Sequence, residues 1–569
     1  MVTLWVKAEP FSYGTIPVAP HPRLNSTNIR KIVIYSKNKG SAGFPRLSYA
    51  IWQHIACNKL HLSEDLAWMY FRICQFFTEN LSPAESMEKD QQLAMTKDQS
   101  ERSKVMNQES VNLYKFVLFL SLQQLYRTSL RTSLVAGDEW PSSSSSVATC
   151  DLDGRSTPRG ATMKSLDDHS HHLFVQNNIA ELTDLISDED TKVTGAGVAV
   201  PGIKCLSMEA VEALGFVLAG RVESSPSLIQ LQDLASLPAV QHQSGYQKAT
   251  RTFLTRQFTM WVKDNLVQNP FSVSACIASG TRLSWPFMAG EDQKSEQGQK
   301  RGKIATNAPT VPKDHIKGNK MIIMSQVSKQ TIARSSGTLE MSTVKIHRSH
   351  YSFLYLLSPL RSVTIEKSRH TTLILGPVEA TVYVSGCENV TIIAPCRNFM
   401  ITGSTLCNLY LLTPNRPMLL SGNDTIMLAP YHTFYATLEE HMSRAGIGPT
   451  PNIWDQPLCI GPDHRDDQPI WHILPESEYY PFSVPFEMQG PTKAIPGILP
   501  AYYQKEINKR QKQIDTWQHM VKDAGLTREQ RKEFQTLVES RFHIWLSETG
   551  HKRELDSLVV PLQSVLDKK

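Results

Sequence analysis

"VTIEKSRHTTLILGPVEATVYVSGCENVTIIAPCRNFMITGSTLCNLYLL", residues 363–412, is a run of short apolar triplets separated by small and polar residues. Extended in both directions the triplets are VKI at 344, FLY 353, VTI 363, LIL 373, VYV 382, TII 391, FMI 399, LYL 409, MLL 418 and IML 426. They recur at intervals of 8 to 10 residues, with Gly, Pro, Asn and Ser between them. A period near nine is too short for a helical repeat and fits short strands turning at regular corners. Two steps make about 18 residues, the length of one coil of a parallel β-helix. An antiparallel sandwich also spaces its strands by 8 to 12 residues, so spacing alone leaves both open. On a two-strand coil, the middle residues make two outward ladders. One is Lys345, Thr364, Tyr383, Met400 and Leu419; the other is Leu354, Ile374, Ile392, Tyr410 and Met427. The second is apolar, so helices from the N-terminal region or the C-terminal hairpin are expected to cover it.

Around this segment the texture differs. Residues 1–136 read as an α-helical N-terminal domain, on the helical apolar period of "YAIWQHIACNKLHLSEDLAWMYFRICQFF" and "VNLYKFVLFLSLQQLYRTSL". A Ser/Gly/Pro-rich linker follows at 137–165, then a second helical region at 166–289 and a polar, aperiodic stretch read as a disordered linker at 290–319. The β segment is placed at 320–445, an extended segment at 446–498, a helical hairpin at 499–550 and a tail at 551–569. In the hairpin, Ile507, Ile514, Trp517 and Val521 share one stripe, and Phe534, Leu537, Val538, Phe542, Trp545 and Leu546 another. Their aromatics are expected to be buried, and Thr527 with Gln530 reads as a capping box. The fold class is therefore mixed and multidomain.

The 569 residues carry a net charge of +5, short of the concentrated basic footprint of a nucleic-acid binder. Nine cysteines without a C-x-x-C fit reduced thiols and a cytoplasmic setting. "MVTLWVKAEP" lacks the pattern of a secretory signal, and "FVLFLSL" at 116–122 is far shorter than the ~20 residues of a span, so no membrane insertion is expected. "GAGVAVPG" at 195–202 breaks the phosphate-loop pattern, and "DDHSHH" at 167–172 reads as helix capping before metal ligation. The acids of the β segment are too few for carbohydrate cleavage, and Cys387, Cys396 and Cys407 read as small residues stacked inside the coil. No cofactor and no metal is expected.

"LSPLRSVTIEKSRHTTLILGPV", "TVYVSGCENVTIIAPCRNF" and "TPNRPMLLSGNDTIMLAPYHTFY" resemble the tubulin-binding cofactor C family. That family includes cofactor C itself and the retinitis pigmentosa protein of the same class. The LGPV turn, the Cys of SGCENV, the RP strand entry and the closing APY match in order over about 110 residues. The flanks, from "LWVKAEPF" to "PFEMQG", resemble one branch of the family end to end. The resemblance implies a right-handed parallel β-helix, the C-CAP/cofactor C-like domain. It also implies work at the centrosome, microtubule-organising centre or spindle pole that helps position the centrosome and Golgi and affects cell shape. The implied partners are centrosomal proteins, with tubulin or a small GTPase as further candidates.

Active members of the family place an arginine finger in a motif of the form Cys-Gln-Gln-aromatic or Leu-Arg-apolar. Laid on this chain, Cys396 takes the cysteine, Arg397 and Asn398 the glutamines, Phe399 the apolar place and Met400 the arginine. A thioether has no charge and no hydrogen to donate, so the resemblance implies a non-catalytic protein. Thr364, Tyr383, Arg397, Asn398 and Met400 are then the candidate partner surface. The alternative is a GTPase-activating protein for tubulin or an Arf-like GTPase that uses Arg397 or a partner's arginine.

Overall fold

The computed structural model describes residues 2–125, 166–189, 204–276, 281–282, 303–306 and 320–549, apart from 97, 224–226, 274, 335–336, 462–463, 465–468 and 486–487. The expected linker at 137–165, the loop at 195–202 and the tail at 551–569 lie outside the described residues. The chain divides into two units, the second built from residues 83–91, 282–306 and 322–569.

The first unit holds helices and sheets together, not helices alone. The strand Val2–Val6 pairs antiparallel with Leu218–Val222, which ties the stretches read as 1–136 and 166–289 into one unit. A four-stranded sheet joins Asp188–Glu189, Lys204–Ser207, Thr252–Leu254 and Tyr246–Gln247. The greasy helix Leu113–Leu122 starts at Asn112, whose side chain accepts from the Lys115 N–H, and its apolar residues are buried on all sides. It is a core helix, and no helix of the described residues is long and apolar enough to cross a membrane.

The second unit is a parallel β-solenoid of about six turns over residues 321–430. Each turn contributes one strand to each of two parallel sheets. In one sheet Val344, Val363, Val382 and Phe399 stack in register; in the other Leu354, Leu373, Ile392, Leu409 and Leu428 do so. All nine are fully buried in one continuous core, which also takes in Cys387, Cys396 and Cys407. The stretch read as a linker at 290–319 contains a further strand, Lys303–Thr306, paired antiparallel with Met321–Ser325.

The outward ladders differ from expectation by one residue at several turns. Leu419 points inward, and Met418 is the residue in register with Met400. Leu354 and Ile392 also point inward, so the outward ladder of the second sheet runs Tyr355, Ile374, Ile393, Tyr410 and Ala429. It is covered, but by Leu438, Met442 and Ala445 of the short helix Leu438–Ala445 and by Val484 and Met488 of the following segment.

One corner of the coil explains the SGC, TGS and SGN triplets. Arg348, Lys367, Gly386, Gly403 and Gly422 occupy successive turns at φ of 54°, 50°, 61°, 56° and 78°, a left-handed turn that glycine adopts most cheaply. The next residue of each turn points inward and bonds to the adjacent turn. Ser349 N donates to Ser368 Oγ at 3.2 Å, Cys387 N to Ser404 Oγ at 3.1 Å and Ser404 N to Asn423 Oδ1 at 3.1 Å. The LGPV glycine has another cause: a Cβ on Gly376 would lie 2.1 Å from the Ser358 carbonyl oxygen of the turn below.

The open end of the core is closed by Trp454, Leu474, Tyr479 and Tyr503, with the Tyr503 hydroxyl donating to the Leu474 carbonyl at 2.6 Å. Nearby, His432 is buried and stacks on Tyr410 with ring centroids 3.7 Å apart. Burial holds its pKa down at about 3, against 6.5 in a free chain. Between those values the unfolded chain takes the proton and the folded one refuses it. Stability is therefore expected to fall as pH drops from about 6.5, by about 1.4 kcal/mol per pH unit from this residue. Urea denaturation of wild type and His432→Phe at pH 7 and 5 reads it: the variant should lose less on acidification.

Candidate interaction site on the solenoid

Each turn has a short third side between its two long strands. Leu360 pairs with Val378, and Val378 with Cys396. The residues that follow, Arg361, Glu379 and Arg397, therefore stack on successive turns, about 4.8 Å apart by strand spacing. Arg361 Nη1 lies 3.0 Å from Glu379 Oε2, with both side chains under a tenth exposed. Arg397 Nη1 lies 2.8 Å from Asp90 Oδ2, with the two side chains 3% and 6% exposed. The order of charges is plus, minus, plus, minus, which neutralises a column that burial would otherwise penalise.

Asp90 comes from the helix Pro83–Met95 and is that helix's buried residue. On the same side of the helix Met87 is only partly buried and Ala94 is exposed, so the acid itself is what this helix buries. The second Arg397 nitrogen, Nη2, donates to the Gly446 carbonyl at 2.5 Å. Gly446 ends the helix Leu438–Ala445 in the left-handed conformation, φ 67°. A Cβ there would stand 3.0 Å from Pro83 Cα, so glycine serves both the cap and the close approach. Asn398 is held as well: its Oδ1 accepts from Asn415 Nδ2 at 2.9 Å. The RP entry is fixed by Arg416, which donates to the Gln456 and Pro457 carbonyls at 2.9 and 2.8 Å.

The five candidate surface residues do not form an open face. Arg397, Asn398, Met400 and Thr364 are 3%, 1%, 1% and 4% exposed, and Tyr383 is half-buried. Met400 does point out of the coil, in register between Tyr383 and Met418, yet this outer face is covered. Arg397, expected on an open partner surface or as the arginine of a GTPase-activating protein, is instead locked in an ion pair. Asp90 was missed, because its partner lies 307 residues away and no local pattern joins the two.

Other candidates serve packing. Burial pushes the Cys387 and Cys407 thiols up to about 12 and 11, which keeps them protonated inside the coil, and the described cysteines are free. In "DDHSHH", Asp168 accepts from the Val273 N–H at 2.9 Å and His171 stacks on Phe11 with centroids 4.6 Å apart.

The family described as Tubulin binding cofactor C matches residues 341–458, which take in most of the solenoid and the Arg361, Glu379 and Arg397 ladder. Similarity extends well beyond it. Proteins called TBCC domain-containing protein 1 from Bos taurus and Homo sapiens are each 42% identical over 561 residues, covering 98% of this chain and 98% of theirs. The Danio rerio protein of that name is 39% identical over 559 residues, covering 98% of this chain and 94% of its own. Identity at this level over 98% of the chain, the solenoid included, places the chain in the TBCC domain-containing protein 1 family.

Proposed function

We propose that the chain is a non-catalytic, cytoskeleton-associated protein. It acts through protein contacts of its cofactor C-like solenoid at the centrosome, microtubule-organising centre and spindle pole. There it helps position the centrosome and Golgi and so affects cell shape. The family description, with tubulin in its name, supports a partner from the microtubule system, tubulin or a small GTPase among them.

The non-catalytic part rests on one observation. Arg397 is the arginine of the CRNFM motif, and both of its terminal nitrogens are engaged, by Asp90 and by the Gly446 carbonyl. A finger must deliver its donors to phosphate oxygens in the transition state, which here requires breaking a buried ion pair first. Met400, at the finger's place, has nothing to deliver.

Two measurements test the reading. Purified full chain should leave GTP hydrolysis by tubulin and by an Arf-like GTPase unchanged within about twofold, where a finger contributes about 10³–10⁵. Stimulation that is lost in Arg397→Lys would make it a GTPase-activating protein. In dividing cells the tagged chain should concentrate at the spindle poles, and a uniform cytoplasmic signal would remove the centrosomal role.

A further inference from the structure

The two C-terminal helices, Ala501–Asp523 and Arg528–Thr549, are joined as expected. Thr527 N donates to Gln530 Oε1 at 3.0 Å and Gln530 N to Thr527 Oγ1 at 3.3 Å, a reciprocal capping box. Their aromatics are not buried as expected. Trp517 and Phe534 meet with ring centroids 6.1 Å apart, but apart from the buried Leu546 most apolar side chains of the pair stand in water. Ile514, Trp517, Met520, Leu537, Val538, Phe542 and Ile544 are between 43% and 60% exposed. Together they leave roughly 750 Å² uncovered, close to the ~800 Å² each partner contributes to a standard interface.

The width of the stripe says more than its area. At about 100° per residue, Ile544, Leu537, Phe534, Val538 and Phe542 span about 160° of the second helix. One packed neighbour accounts for about 100° of that arc, so the first helix cannot satisfy all of it. One exposed edge carries, on one line, Glu533, Leu537, Arg541 and Ile544. An antiparallel copy of the same helix, set about Leu537, places Leu537 against Leu537 and brings each Glu533 to Arg541 of the other copy. The helix has four basic and four acidic residues, so two copies do not repel through net charge.

We propose that this helix pair is a self-association surface. Two copies of the chain join through their second C-terminal helices, antiparallel about Leu537, into a two-fold symmetric four-helix arrangement. The Glu533–Arg541 contacts form twice and fix the register, while the exposed apolar stripes supply the area.

Sedimentation velocity of the full chain over a micromolar concentration series tests it. Wild type should show a monomer–dimer equilibrium, and Leu537→Glu should weaken it at least tenfold by placing two carboxylates at the axis. Glu533→Arg and Arg541→Glu should each weaken it several-fold, and the double variant should recover it. Since these side chains are exposed in the single chain, the melting temperature measured below the dimerising concentration should not move. A wild type that stays monomeric throughout, whether its stripe is taken by another protein or by the chain's own residues past 549, overturns the proposal. So does a dimer that survives Leu537→Glu, or single-variant losses that the double variant does not recover.

Discussion

Asp90→Ala is expected to lower the stability of the solenoid unit by about 3–5 kcal/mol, the cost of leaving one member of a buried ion pair without its partner. Arg397 is 3% exposed, so water cannot take over from the lost carboxylate. The guanidinium would keep its bond to the Gly446 carbonyl, a neutral acceptor that answers a full charge only in part. Arg397→Ala should also cost stability, because Asp90 then loses its buried guanidinium partner. The double variant Asp90→Leu/Arg397→Met separates pair from site: apolar groups of similar size remove both charges and should recover much of the loss. A chain of two units need not unfold in one step, so amide exchange of the strand Glu388–Thr402 is the better readout. Protection that falls by less than about tenfold in Asp90→Ala would mean that the helix Pro83–Met95 is held at this place by other contacts.

Why this contact was invisible in the sequence, while the coil was legible, is a matter of distance along the chain. The nine-residue period is local: it reports strand, corner, strand, and the coil length follows from adding two steps. Inside-or-outside parity is local too, but it needs one apolar and one polar face to be read. The second sheet is apolar on both faces, as Tyr355, Ile374 and Ile393 outside match Leu354, Leu373 and Ile392 inside. With turns of 17, 18 and 19 residues mixed, the ladder drifted by one position at Leu354, Ile392 and Leu419 and by two at Met427. The Arg397–Asp90 pair joins residues 307 apart, and the strand Val2–Val6 finds its partner at Leu218–Val222. No periodicity carries such information. The C-terminal stripes fail for a third reason: an apolar period predicts that a helix face will be covered, not that its own chain will do it.

Met400→Arg puts a guanidinium at the place where the resemblance aligns the family's finger with this chain, and the expected result is loss of stability, not gain of GTPase stimulation. The side chain points out of the coil, which on the sequence alone made it a natural site for a finger. It is nonetheless 1% exposed, with Tyr383 and Met418 as its in-register neighbours. A charged head placed there must find a partner or drive apart whatever covers the face, and the same ~3–5 kcal/mol for an uncompensated buried charge applies. Met400→Leu, which conserves volume and polarity, should cost less than about 1.5 kcal/mol. The comparison of the two isolates charge from packing. Denaturant midpoints together with GTP turnover by added tubulin decide the matter. A folded, undiminished Met400→Arg protein that accelerates hydrolysis would show that the face opens readily and that the missing catalyst was its sole defect. A destabilised variant with no stimulation would place the divergence of this chain in the cover over the solenoid face as well as in the residue beneath it.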